Sequence, residues 1–390
     1  MRILLTIILS ATLGISCLGQ PTAKQWNSEV LAGWNLGNQL ECSTAWENSR
    51  SMDIGLWDNS INAETAWGNP KVTRKTIKAV KEAGFNAIRI PIRWQCHITN
   101  PQAMSIDKAW LKRVKEVINW CLECDMKVII NTHHDQWLEG RPKHKYMQEN
   151  CQKLALLWFN IASEMADYDY RVAFAGTNEV HEPDNWGKPT AENLEVQNAY
   201  NQTFIDVVRA TGGNNAKRHL IVQTYVCNPD FGLYNGDFII PTDIVGNGND
   251  YMSVEFHYYT PWEYAGEGKF YYWGEQYRQF GEVPASGEQA MVDLFNRADS
   301  LWGSTGLGVI IGEWGVSDHY KGGQSDKIHE NMTYYCQFLV SEARKRGFST
   351  FVWDNNTFGN GQEKFGIFDR RHGMSVKAPW ILDGIFNQNK

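Results

Sequence analysis

Eight short apolar runs punctuate this chain, at residues 32–36, 87–92, 127–131, 172–176, 220–224, 252–256, 308–312 and 350–353. None alternates in the in–out fashion of a strand that faces water on one side. Uniformly apolar strands are covered on both faces, as in parallel sheets. Between the runs lie stretches with helical periodicity, including 73–83, 108–121, 151–166, 194–210, 289–302 and 327–346. Gly84 and Gly347 stand where a helix C-terminus needs a residue that tolerates a left-handed backbone. About eight strands alternating with helices predict an α/β protein, a closed (β/α)8 TIM barrel. The alternative, an open doubly wound sheet, lacks its Gly-rich first turn. No linker or low-complexity tract interrupts the pattern, so residues 20–390 read as one domain.

Residues 1–19 have one cation, a short apolar stretch and a small-residue exit, the arrangement of a secretory signal peptide. The chain is thus expected to be secreted, extracellular or periplasmic. Cys17 offers a second route, a lipid-anchored cell-surface form. No apolar stretch reaches the roughly 20 residues of a membrane span. The other seven cysteines fall in expected core elements, so no disulfide scaffold is implied; Cys121 and Cys124 read as small hydrophobes on one helix face. The net charge of −7 and the absence of Lys/Arg runs exclude a nucleic-acid partner. The 17 Trp exceed what a core needs. Surplus indole suits a ligand with flat apolar faces and hydroxyl edges, as sugars have.

In such a barrel, chemistry sits at the C-terminal strand ends. Those ends here read Arg89-Ile90-Pro91, Asn131-Thr132-His133-His134, Thr177-Asn178-Glu179, Glu255-Phe256-His257-Tyr258-Tyr259, Gly312-Glu313-Trp314 and Val352-Trp353-Asp354. Two Glu facing each other across a pocket are what glycosidic cleavage requires, one to protonate the leaving oxygen and one to attack or to activate water. Their pKa values must differ, and Arg89 with a Tyr hydroxyl can keep one of them ionised.

These ends, together with Gly33-Trp34-Asn35-Leu36-Gly37-Asn38, Glu64-Thr65-Ala66-Trp67-Gly68-Asn69-Pro70 and Gly84-Phe85-Asn86-Ala87-Ile88-Arg89-Ile90-Pro91, resemble glycoside hydrolase family 5, the cellulases of the retaining clan A barrels. The endoglucanase and xyloglucanase branch is the nearest in pattern. The resemblance implies Glu179 as acid/base and Glu313 as nucleophile. It further implies that Arg89 and Tyr259 hold the nucleophile ionised, that Asn178 bonds the sugar 2-hydroxyl, that His133 and His257 line the cleavage subsite, and that Trp353 stacks under the ring. A non-proline cis peptide after Trp353 is implied too. Where the family usually has Pro after the acid, this chain has Val180.

The substrate-binding set is expected to include Asn35, His134, Trp137, Trp262 and Trp273, with Trp46, Trp57 and Trp67 as further loop platforms. Glu41, Glu139, Asp230 and Asp237 read as solvated loop acids. A metal-dependent barrel hydrolase would present His-x-His at the first strand, where this chain has Asn35-Leu36-Gly37-Asn38. No metal and no cofactor are therefore expected. The expectation is a monomeric endo-β-1,4-glucanase whose partner is a β-glucan polysaccharide: cellulose, mixed-linkage glucan or xyloglucan. A β-1,4-mannanase on the same barrel is the alternative, and a non-catalytic glucan-binding barrel a more distant one.

Overall fold

The computed structural model describes residues 20–44, 51–56, 61–234, 238–318 and 325–387. The proposed signal peptide, Cys17, Trp46, Trp57 and Asp237 lie outside the described residues. Eight strands, β1 (Gly33–Leu36), β2 (Ala87–Ile90), β3 (Lys127–Asn131), β4 (Val172–Ala175), β5 (Leu220–Gln223), β6 (Met252–Tyr258), β7 (Gly308–Trp314) and β8 (Ser349–Asp354), pair in parallel and close into a barrel. Each strand neighbours the next in sequence, and β8 returns to β1 through Gly33↔Phe351 and Leu36↔Asp354.

Both faces of the strands are covered. Ala87, Ile129, Ala173, Ile221, Ile310 and Phe351 fill the barrel interior, together with Trp26 from the short helix Ala23–Ser28. A larger apolar layer lies between strands and helices. The helix after β2, Lys108–Glu123, shows how sequence periodicity becomes packing. It buries Trp110, Leu111, Val114, Val117, Ile118 and Cys121, which recur at three- and four-residue steps on one face. Asp107 caps its N-terminus by accepting from Trp110 N at 2.9 Å. Gly84 and Gly347 adopt positive φ, as their positions after helices demand.

The expected helix starts at 151 and 194 fall short. Those helices run His144–Glu164 and Ala191–Ala210; their first turns hold mostly half-buried or exposed residues, so the apolar period starts only further in. Strands β6 and β7 run two residues past the apolar runs. Their register shifts at Phe256/His257, and Gly312 occupies the extra position between Ile311 and Glu313. Only glycine fits there, since a Cβ would lie 1.8 Å from Glu255 Oε1. The shift sets Glu313 opposite His257.

The Trp353–Asp354 peptide is trans, contrary to expectation; the single cis bond among the described residues is Thr260–Pro261. The strand continues in register through Asp354, whose carboxylate also accepts from Trp34 Nε1 at 3.0 Å. None of the seven described cysteines forms a disulfide. No helix among the described residues is long and apolar enough to cross a membrane.

Candidate active site

Arg89, in β2, is the hub at the C-terminal mouth. Its side chain is fully buried and meets Glu313, Asn35, Asn178 and Glu255 from four strands or strand ends, with His257 Nε2 at 3.5 Å as a fifth neighbour. One terminal nitrogen donates to Glu313 Oε1 at 2.8 Å and Asn35 Oδ1 at 3.0 Å. The other donates to Asn178 Oδ1 at 2.8 Å. The fourth contact is an ion pair from Nε to Glu255 at 2.9 Å. The second oxygen of Glu313 accepts from Tyr259 at 3.1 Å. Burial raises the Glu313 carboxyl, and the charges of His257 and Arg89 pull against it. Tyr259 is pushed well above the usual tyrosine range by burial and by Glu313, so it stays a neutral donor.

His257 bridges the two acids. Its Nδ1 lies 2.6 Å from Glu179 Oε1 and 3.6 Å from Glu313 Oε2, while Nε2 faces Glu255 at 3.5 Å. Burial works against charging the ring, but the charge of Glu313 and the hydrogen bond to Glu179 hold it above the ordinary histidine range. His257 Nδ1 and one oxygen from each of Glu179 and Glu313 all lie within 4.8 Å of one another. Such a trio has the composition of a cation site. With Nδ1 carrying the proton that Glu179 accepts, however, the ring has no lone pair to offer a metal on that side.

On the other flank runs a row of rings. Trp353, half-buried, lies parallel to His133 at 6.1 Å; His133 meets His134 edge-on at 4.4 Å; His134 meets Trp67 at 5.9 Å. Burial and the neighbouring His134 and Arg89 keep His133 well below the usual range and hence neutral. Trp262 is 41% exposed beside Tyr259, at 6.1 Å between rings.

Three expected sugar contacts are corrected. Asn35 has no polar atom left over: Nδ2 donates to the carbonyls of Gly312 and Phe351, and Oδ1 accepts from Arg89. Its role is to position Arg89. Asn178, by contrast, uses only Oδ1 within the protein, and its amide nitrogen donates to no described group. Trp137 and Trp273 are buried at 1% exposure each. Trp137 belongs to the core, and Trp273 packs among Tyr334, Tyr335 and Phe338 with its Nε1 on the Ser286 carbonyl. A loop Trp reads alike in sequence whether it turns inward or outward, because that choice belongs to tertiary packing. Glu41 and Glu139 are also buried rather than solvated. Glu139 accepts from His134 N at 2.9 Å; Glu41 accepts from the amides of Asn38 and Gln39, and burial pushes it up to about 7.

Other site residues were assigned no role from the sequence, Glu255 among them although it stands in one of the strand ends read there. Glu255 anchors Arg89 from behind; although burial opposes its charge, Arg89, His257 and Gln223 hold it down at about 2. Gln223 joins Glu255 to Thr177, donating to Glu255 Oε2 at 2.7 Å and accepting from Thr177 N at 2.9 Å. Trp186, 57% exposed, stacks on His181 at 3.8 Å just beyond Glu179. Its placement in the Glu179 loop was a usable signal, weakened by the polar run around it.

Comparison with known proteins gives the family of the chain. A family model described as cellulase (glycosyl hydrolase family 5) matches residues 48–359. The chain is 34% identical over 362 residues to the cellulase/esterase CelE of Acetivibrio thermocellus, covering 92% of this chain and 39% of that larger protein. It is 32% identical over 367 residues to a xyloglucan-specific endo-β-1,4-glucanase of Bacteroides ovatus, covering 92% of this chain and 69% of that one. Among solved structures, a glycoside hydrolase 5 lichenase mutant from Caldicellulosiruptor sp. F32, in complex with cellotetraose, superposes with a TM-score of 0.82 at 28% identity, covering 95% of this chain and 96% of that one.

Proposed function

The chain belongs to the cellulase family, glycosyl hydrolase family 5, and from that premise we propose that it is a secreted endo-β-1,4-glucanase that retains anomeric configuration, with Glu313 as nucleophile and Glu179 as acid/base. The observation that carries the reading is the facing pair itself. A carboxylate oxygen of Glu179 and one of Glu313 stand within 4.8 Å of each other, both on the Nδ1 side of His257. Retaining pairs sit about 5–5.5 Å apart, whereas inverting pairs need roughly 6.5–9.5 Å to admit water.

In this mechanism Glu313, kept ionised by Arg89 and Tyr259, attacks the anomeric carbon. A proton shared between His257 Nδ1 and Glu179 passes to the departing glycosidic oxygen. Glu179 then takes a proton from water, which releases the sugar from Glu313 with its β configuration restored. In this reading Asn178 Nδ2, which donates to no described group, donates to the sugar 2-hydroxyl, and Trp353, Trp262 and His134 line the bound chain. Retention on the same carboxyl pair would serve a mannan equally well; the glucan-active relatives favour the glucanase reading. The test is time-resolved proton NMR with viscometry. Soluble mixed-linkage glucan should lose viscosity well before reducing ends accumulate, and β-anomeric product should appear first. Early release of glucose or cellobiose alone would refute the endo mode, and α-anomer first would refute retention.

A further inference from the structure

The turn after β5 grips the loop that carries Glu179, residue by alternate residue. Val226 N donates to the Val180 carbonyl at 3.0 Å. Cys227 Sγ donates to the Asn178 carbonyl at 3.3 Å. Tyr225 Oη accepts from Glu182 N at 3.2 Å. The contacts therefore straddle Glu179. All three residues of the turn are buried. Their backbone is costly: Val226 and Cys227 have φ of 51° and 50°. For a non-glycine residue this left-handed region costs of order 1–3 kcal/mol, and a β-branched side chain fits it poorly. Such a conformation persists where surrounding contacts over-determine it, and here those contacts converge on one loop.

The left-handed pair also determines what the turn can reach. It brings Val226 N–H and the Cys227 thiol toward the same loop, while the thiol lies beside His257 as well. Burial pushes this thiol up to about 12, so it is a neutral donor rather than a thiolate. Glu179 is held by one side-chain bond, from His257, and its side chain is more exposed than that of Glu313. Its direction thus depends on its own backbone. That backbone is anchored by the Tyr225–Val226–Cys227 turn on one side and by the His181 N to Glu139 O bond, 3.0 Å, on the other.

We propose that Tyr225, Val226 and Cys227 are positioning residues for proton donation by Glu179, using a strained turn to aim the acid at the leaving oxygen. The proposal rests on the assignment of Glu179 as acid/base. A displaced acid penalises only substrates whose leaving group needs a proton, and misplacement by about 1 Å can cost up to about 10²-fold. The experiment compares kcat/KM for mixed-linkage glucan with that for 2,4-dinitrophenyl β-cellobioside, whose leaving group departs unprotonated. Cys227→Ala removes the thiol donor, Cys227→Ser restores a hydroxyl donor, and Tyr225→Phe deletes one acceptor; thermal melting identifies the folded variants. Cys227→Ala should lose about tenfold on the glucan and under twofold on the aryl substrate, with Cys227→Ser recovering most of the loss. Tyr225→Phe should show the same split to a smaller degree, which keeps the test open if Cys227→Ala does not fold. Equal losses on both substrates, or no loss in folded variants, would overturn the proposal. A wild-type protein that cleaves neither substrate would overturn the glucanase reading instead.

Discussion

Arg89 Nε and Glu255 Oε1 lie 2.9 Å apart with both side chains wholly buried, yet the N–H does not point at the oxygen. Their bond is therefore one of charge rather than of aligned hydrogen bonding. It holds the guanidinium from behind, so that Arg89 reaches Glu313 already fixed. Glu255→Gln would leave a buried cation under-compensated, which typically costs about 3–5 kcal/mol. The pH dependence has a definite sign. The folded Glu255 carboxyl titrates at about 2, below the ordinary value near 4.3 of an unfolded chain. Its contribution, roughly 3 kcal/mol, is complete above that ordinary value and disappears as pH falls toward 2. Urea melts of wild type and Glu255→Gln should differ most near pH 6–7 and approach each other only as pH falls to about 2. A difference that stays constant with pH would contradict this.

Tyr259→Phe removes one donor from Glu313 and leaves the barrel untouched. A hydrogen bond to a charged group contributes about 1.5–3 kcal/mol, so kcat should fall about 10- to 100-fold with little change in Tm. The remaining carboxylate is less well stabilised. Its pKa rises, and the acid limb of kcat/KM moves to higher pH. An unmoved acid limb would separate Tyr259 from Glu313.

The two acids are distinguished by leaving-group chemistry. Glu313→Ala should abolish turnover of every substrate, since no covalent intermediate forms. Glu179→Ala should still be glycosylated by aryl cellobiosides with good leaving groups, and azide should then speed turnover by replacing base-assisted water. A retained, β-configured glycosyl azide from the Glu313 variant and an inverted, α-configured one from the Glu179 variant would exchange the roles.

Trp262 and Trp273 resemble each other in sequence context and differ in place. Trp262→Ala should raise KM for oligosaccharides several-fold and leave Tm nearly unchanged, because the ring is already 41% exposed. Trp273→Ala empties a core site, a change that costs about 3–5 kcal/mol. It should show first in melting curves. Affinity measured by calorimetry on folded Trp273→Ala should remain close to wild type.

Glu139 is raised well above the ordinary range by burial, with neighbouring Asp135 adding to the shift. It is a protonated hydrogen-bonding group beneath His134. Glu139→Gln should therefore be nearly neutral at pH 5, within about 1 kcal/mol. A raised carboxyl loses stability as pH climbs from the unfolded toward the folded pKa, so the variant should gain relative to wild type as pH increases. A destabilised variant that worsens with pH would mean an ionised Glu139.

Composition and periodicity were enough for the barrel, because a strand buried on both faces carries mostly apolar residues, and polar ones gather toward its C-terminal end. Arg89, Glu179, His257 and Glu313 stood out for that reason, and the structure gathers them around one centre. What the sequence by itself could not determine was direction. Asn35 lies at a strand end like Asn178, yet its amide is consumed by the Gly312 and Phe351 carbonyls. Trp137 and Trp273 turned inward where Trp262 turned outward. Glu255, inside an apolar strand, became the counter-charge of Arg89 only when barrel closure set β2 and β6 on opposite walls. The left-handed Val226–Cys227 turn has no glycine to announce it. In each case the determinant is contact between residues far apart in the chain, and a linear pattern records which faces are buried but not which partners meet there.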